Sequence, residues 1–141
     1  MLLFPVKFHP FEIFPRALHG SSQVHQYFLF AGPEILQHPL NHTVVRNEPV
    51  TLECRASGSP PPLVEWFRDG QPVTTAPQDA ESHRILLPDG SLFFLRAMQS
   101  KKVQDAGTYW CIASNSEGVA RSNNATLDIA CKFTIPHRYP N

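Results

Sequence analysis

Cysteine and histidine are the side chains of this 141-residue sequence best able to do covalent or metal chemistry, and it carries three of the first and seven of the second. Cys54 and Cys111 stand 57 residues apart. A disulfide closing a loop of that length stabilises by about 4 kcal/mol in the chain-entropy treatment. The third cysteine, Cys131, has no partner in the chain and falls where the domain pattern ends; it reads as an idle thiol, with a functional free thiol or an intermolecular bridge as the alternatives. None of the histidines pairs with another His, Cys or carboxylate at a ligand-like spacing within an element, so they read as scattered surface groups. No nucleophile elbow, phosphate loop or paired carboxylates can be recognised. Hence no catalytic residue, metal ligand or cofactor is expected. Two N-x-[ST] sequons, Asn41-His42-Thr43 and Asn124-Ala125-Thr126, would accept N-glycans in a secreted chain, the first at a strand edge and the second on an exposed face of the last strand.

The elements that must position these residues are short. Apolar residues make up 42% of the chain and charged residues 17%, a globular composition. Twelve basic residues balance twelve acidic ones, which gives no general attraction to nucleic acid. No apolar run is long enough for a membrane-spanning helix, so a membrane receptor would be represented here only by a fragment. From Pro33 onward, apolar runs alternate with turn signals at intervals of roughly 8 to 12 residues, the rhythm of an all-β sandwich. Strands are expected at 35–37, 43–45, 50–56, 63–68, 72–74, 84–87, 91–96, 107–114 and 120–129. Gly58-Ser59-Pro60-Pro61-Pro62, Asp69-Gly70, Asp89-Gly90 and Glu117-Gly118 supply the turn chemistry between them.

Period-2 alternation puts Val50, Leu52, Cys54 and Ala56 on one face and Thr51, Glu53 and Arg55 on the other, while Tyr109, Cys111 and Ala113 point inward. The two cysteines therefore face each other across the sandwich. Trp66 follows Cys54 by 12 residues, and Tyr109 precedes Cys111 by two. That combination specifies an immunoglobulin-like two-sheet sandwich of the I-set type, with one inter-sheet disulfide, Trp66 packed on it and Tyr109 at a tyrosine corner. It also points to an oxidising compartment.

The domain is read as residues 32–130. Residues 1–31 begin like a signal peptide, but Pro5, Lys7, His9 and Pro10 interrupt the apolar stretch. Neither 1–31 nor 131–141 shows strand or helix periodicity, and both read as unstructured ends translated from outside the domain's own coding sequence.

Along Ser91 to Arg96, Leu92 and Phe94 take the inward positions and leave Phe93 and Leu95 outward. A binding surface, cover by the N-terminal strand or a slipped register would each explain two large exposed apolar side chains. Arg96, Lys101 and Lys102 set positive charge beside them. The domain as a whole is slightly acidic, with eight Lys or Arg against eleven Asp or Glu over residues 33–130. An apolar centre with a basic rim suits a protein partner and a sulfated or carboxylated polyanion.

The segments Glu34-Ile35-Leu36-Gln37-His38-Pro39, Val64-Glu65-Trp66-Phe67-Arg68-Asp69-Gly70 and above all residues 82–96, Ser-His-Arg-Ile-Leu-Leu-Pro-Asp-Gly-Ser-Leu-Phe-Phe-Leu-Arg, resemble the first immunoglobulin domain of Roundabout axon-guidance receptors. The resemblance covers about residues 32–130. It implies an ectodomain module on the outer side of the plasma membrane that binds a leucine-rich repeat domain of the secreted ligand Slit, with heparan sulfate bridging the two. The ligand-contact positions of the family match Gln37, Glu53, Arg55, Phe93, Leu95 and Arg96, and its heparan-sulfate positions match Lys101 and Lys102. Two positions depart from the vertebrate pattern: Gln37 replaces an acidic residue and Glu53 an amide. The other reading is a homophilic adhesion or structural immunoglobulin domain, for which weak self-association would be the sign.

Overall fold

The computed structural model describes residues 29–132. The expectations for 1–28 and 133–141 lie outside the described residues. Among the described residues eleven strands follow one another: β1 (Ala31–Gln37), β2 (His42–Val45), β3 (Val50–Leu52), β4 (Arg55–Ser59), β5 (Leu63–Arg68), β6 (Gln71–Pro72), β7 (Arg84–Leu86), β8 (Leu92–Phe94), β9 (Gly107–Asn115), β10 (Gly118–Arg121) and β11 (Ala125–Ala130). They make two layers. In the first, β1 pairs with β4, and β3, which leads directly into β4, continues through β8 to β7. In the second, the order is β2-β11-β9-β5-β6, with β10 also on β9. The pairings are antiparallel except β2 with β11, which run parallel from Leu127 opposite His42 to Ala130 opposite Val45.

Between the layers lies the core that alternation selects: Leu52, Cys54, Leu92, Phe94, Tyr109, Cys111, Ala113 and Leu127 are fully buried, and Trp66 is 3% exposed. The Cys54–Cys111 disulfide joins the layers, with Cα atoms 6.6 Å apart. The Trp66 indole N–H donates to the Gly90 carbonyl at 2.8 Å, and the Tyr109 hydroxyl donates to the Asp105 carbonyl at 2.6 Å. A buried indole or phenol needs such a partner. The Tyr109 and Phe94 rings also pack perpendicular to each other, with centroids 5.7 Å apart.

Of the expected strands only 63–68 keeps its bounds; 43–45, 84–87 and 107–114 shift by one residue, 91–96 shortens to Leu92–Phe94, and four others differ as follows. The first runs back to Ala31, because Ala31 pairs with Ser59 and its carbonyl accepts from the Asn115 side chain. The expected 72–74 strand shrinks to Gln71–Pro72, the far side of a two-residue hairpin. Its turn residues Asp69 and Gly70 both have positive φ, 48° and 86°, as a tight hairpin turn requires. The expected 50–56 and 120–129 strands each break in two, at Glu53-Cys54 and at Ser122–Asn124. A cysteine N–H meets a serine hydroxyl at each break. Cys54 N–H donates to the Ser91 hydroxyl at 3.3 Å and Cys111 N–H to the Ser122 hydroxyl at 2.9 Å. Both serines are 2% exposed. A buried side-chain oxygen thus takes the N–H of each bridging cysteine, and the register of the last segment against β9 slips by one residue between β10 and β11.

Gly90, in the turn before β8, could not be replaced. Its φ is 98°, and a Cβ there would lie 2.9 Å from the Cys54 carbonyl oxygen and 3.0 Å from Val64.

Candidate ligand-binding face

The outer face of the first layer holds the residues that sequence singled out. Thr51 lies opposite Phe93 on β8, and Phe93 in turn lies opposite Ile85 on β7. That pairing fixes the register: Phe93 is half-buried between its neighbours, and Leu95 is 54% exposed. Neither a slipped register nor cover by β1 accounts for the apolar pair, since β1 pairs along β4. Arg96 is exposed, and Ala97 after it turns fully inward. The Leu95 N–H donates to the His83 carbonyl at 2.9 Å, which ties the segment to the layer's edge just beyond β7.

Gln37, Glu53 and Arg55 form one network on the same layer. Gln37 is opposite Arg55 in the β1–β4 pairing, and its amide oxygen accepts from Arg55 Nε at 3.0 Å and Nη2 at 2.8 Å. The other end of the amide donates to the Glu53 carboxylate. A neutral amide thus bridges an acid and a base whose strands bring them alongside. Lys101 and Lys102 are exposed on the turn between β8 and β9. This turn is tied down locally: the Ser100 hydroxyl accepts from the Lys102 and Val103 N–H groups, and Ser100 N–H donates to the Val103 carbonyl. Its lysines project from a folded base.

Beneath that turn is a cluster that sequence reasoning did not single out. Asp105 is fully buried. Its Oδ1 accepts from Arg84 Nε at 2.9 Å and Nη2 at 2.5 Å, while Oδ2 lies 2.7 Å from His83 Nε2 and accepts from the Met98 N–H at 2.7 Å. Burial, helped by the Asp105 charge, pushes the Tyr109 hydroxyl up to about 12. The Arg84 and His83 contacts join segments 21 and 22 residues apart, which no local pattern reveals.

The sequon asparagines lie at the surface on the second layer. The Asn41 side-chain oxygen accepts from the Thr126 N–H at 2.8 Å, and that of Asn124 from Arg121 Nη2 at 2.7 Å. Asn124 sits in the break before β11, not on the strand as expected. Among the described residues, neither amide nitrogen, the atom that would carry a glycan, donates a hydrogen bond. Cys131 is exposed and free.

Two β-layers pinned by a cysteine pair, with tryptophan on the bridge and tyrosine at the corner, define an immunoglobulin-type domain. The chain belongs to the immunoglobulin domain family, whose model matches residues 32–115. Its likeness to Roundabout receptors is borne out: it is 48% identical to Roundabout homolog 2 of Homo sapiens over 99 residues, 70% of this chain and 7% of the relative. It is 44% identical to Protein sax-3 of Caenorhabditis elegans over 101 residues, 70% of this chain and 8% of that one. The chain therefore spans less than a tenth of these curated relatives. Among solved structures, it aligns with a titin M10–obscurin-like 1 immunoglobulin complex at a TM-score of 0.62 and 27% identity, covering 74% of this chain and 99% of that one. Tandem immunoglobulin repeats of Dlar match with the same TM-score and identity, covering 72% of this chain and 50% of theirs. Among the described residues, no helix is long and apolar enough to cross a membrane.

Proposed function

We propose that residues 32–130 are an extracellular ligand-binding module of a cell-surface guidance receptor. The module takes a Slit-like secreted leucine-rich repeat protein on the outer face of its first layer, with heparan sulfate as co-ligand on Lys101 and Lys102. One observation carries the reading. Leu95 is 54% exposed on the same layer as the Gln37–Glu53–Arg55 network, so an apolar anchor and a set of directional polar groups are available together. A protein interface needs both. Relatives named Roundabout support the receptor class, and the families matched are not enzymes. Asn41 and Asn124, on the other layer, would carry glycans away from this face.

Titration against a Slit leucine-rich repeat domain at low and high salt, with a melting curve for each variant, tests the reading. Phe93→Ala or Leu95→Ala weakens binding by about 1–3 kcal/mol at either ionic strength, because apolar burial is not screened. The Lys101→Ala, Lys102→Ala double variant loses heparan-sulfate affinity, and its defect shrinks as salt rises. If Leu95→Ala leaves Slit affinity untouched while the domain remains folded, the ligand lies elsewhere.

A further inference from the structure

The second layer also presents an outer face, formed by β5, β9 and β10, and the cross-strand register lays its side chains in rows. One row reads Glu65, Ile112, Arg121, and the next reads Leu63, Ser114, Val119. Leu63 is 64% exposed and Val119 70% exposed, while Glu65 and Arg121 are also at the surface. Each row has its central residue on β9, with unlike charges or two aliphatic side chains at its ends. Below them Phe67 stacks on Trp110, with centroids 6.0 Å apart and planes 7° from parallel. The Arg121 guanidinium caps the Trp110 ring at 4.4 Å. The aromatic stack, with bonds from Nη1 to the Ser122 carbonyl at 3.0 Å and from Nη2 to the Asn124 side-chain oxygen at 2.7 Å, holds Arg121 at the surface.

We propose that this face is a self-association surface whose partner is a second copy of the same chain. A two-fold axis lying along β9, in the plane of contact, exchanges the two ends of every row. Glu65 of one copy then comes over Arg121 of the other, and Leu63 over Val119, each twice, with Ile112 and Ser114 near the axis. An isologous interface requires this kind of self-complementarity. Opposite charge at the row ends gives the contact its register. Rotation about an axis parallel to the strands leaves strand direction unchanged, so both copies point the same way and their C-terminal ends leave the pair together. That arrangement suits two chains held side by side on one surface. The opposite layer, with Phe93 and Leu95, stays open in each copy, so pairing and ligand binding are compatible. The rows span three strands, about 15 Å across, well short of a standard-size interface, and the association is accordingly weak.

Sedimentation velocity on the full chain tests this, with its disulfide oxidised, no N-glycan, and Cys131→Ser to exclude covalent pairing through that thiol. The expected result is a monomer–dimer equilibrium with a midpoint between about 10 μM and 1 mM. Glu65→Arg alone, which sets like charges opposite each other, shifts that midpoint upward by about tenfold or more; adding Arg121→Glu restores it to within about threefold. Because Arg121 also supports the aromatic stack, a second measurement avoids it. Ser114→Cys, near the axis, oxidises to a covalent dimer about tenfold faster than Thr51→Cys on the opposite layer, at equal concentration. A chain that stays monomeric at 1 mM overturns the proposal, and so does equal cross-linking from the two layers. Slit binding is measured separately and is unaffected by Glu65→Arg, so failure of this pairing and failure of the ligand-face reading remain distinguishable.

Discussion

Two networks in this domain join a carboxylate to an arginine, and their surroundings are opposite. Asp105 is fully buried and meets Arg84, His83 and the Met98 N–H through its two oxygens. Glu53 is exposed and meets Arg55 only through the side-chain amide of Gln37. In the first, removing either partner leaves a charge in low dielectric, so the set is fixed once folding is complete. In the second, water can replace each contact at little cost, so every group can be re-partnered by an incoming surface. Burial, and not the residue types, decides which network holds the fold and which stays open to solvent.

The comparison breaks most visibly at Asp105. Asp105→Ala unpairs Arg84 and the Met98 N–H together and costs about 3–5 kcal/mol of stability, a large share of what a domain this size has. Urea denaturation measures it; a loss below about 1 kcal/mol would place both networks in one class.

Tyr109, whose hydroxyl donates to the Asp105 carbonyl, sharpens the contrast through pH. Its folded-state value is raised to about 12 by burial first and by the Asp105 charge second. In the unfolded chain tyrosine titrates near about 10. Between those values the folded protein keeps a proton that the unfolded chain has lost. The contribution is therefore complete below about pH 10 and disappears as pH rises through 12, a loss of about 2–3 kcal/mol. Stability measured from pH 9 to 12 falls along this slope in the parent and falls less steeply in Tyr109→Phe.

The smallest effect belongs to the exposed network. Gln37→Ala changes stability by less than about 0.5 kcal/mol, because the groups it releases are already hydrated. Under the proposed function, its consequence is expected in affinity for the Slit leucine-rich repeat domain instead. A melting temperature lowered as far as that of Asp105→Ala would show that the amide bridge is a structural strut.

What the sequence made legible divides along the same line. Alternation and the spacing of Cys54, Trp66, Tyr109 and Cys111 placed the core and the direction of Phe93 and Leu95, because period-2 geometry is local. The breaks at Glu53-Cys54 and Ser122–Asn124 were illegible, since each depends on a contact with a distant segment: the Ser91 hydroxyl comes to Cys54 in the first, and Ser122 within the break reaches the Cys111 N–H of β9 in the second. The Asp105 cluster was hidden for the same reason. The Phe67–Trp110 stack was within reach: Trp66 and Cys111 inward means Phe67 and Trp110 outward, and the β5–β9 register sets them side by side.

The parallel pairing of β2 with β11 has a mechanical consequence. A pull that draws the start of the domain away from its end loads β2 and β11 in opposite directions along their length. Parallel neighbours so loaded slide against each other, and the bonds from His42–Leu127 to Val45–Ala130 share the tension simultaneously instead of opening in sequence like a zip. Beyond the strands, Asn41 to Thr126 and Arg46 to Ala130 add a rung at each end of the same seam. A domain strung in a tethered chain would therefore resist stretching up to a single abrupt yield, and the force at that yield would be set by these two short strands.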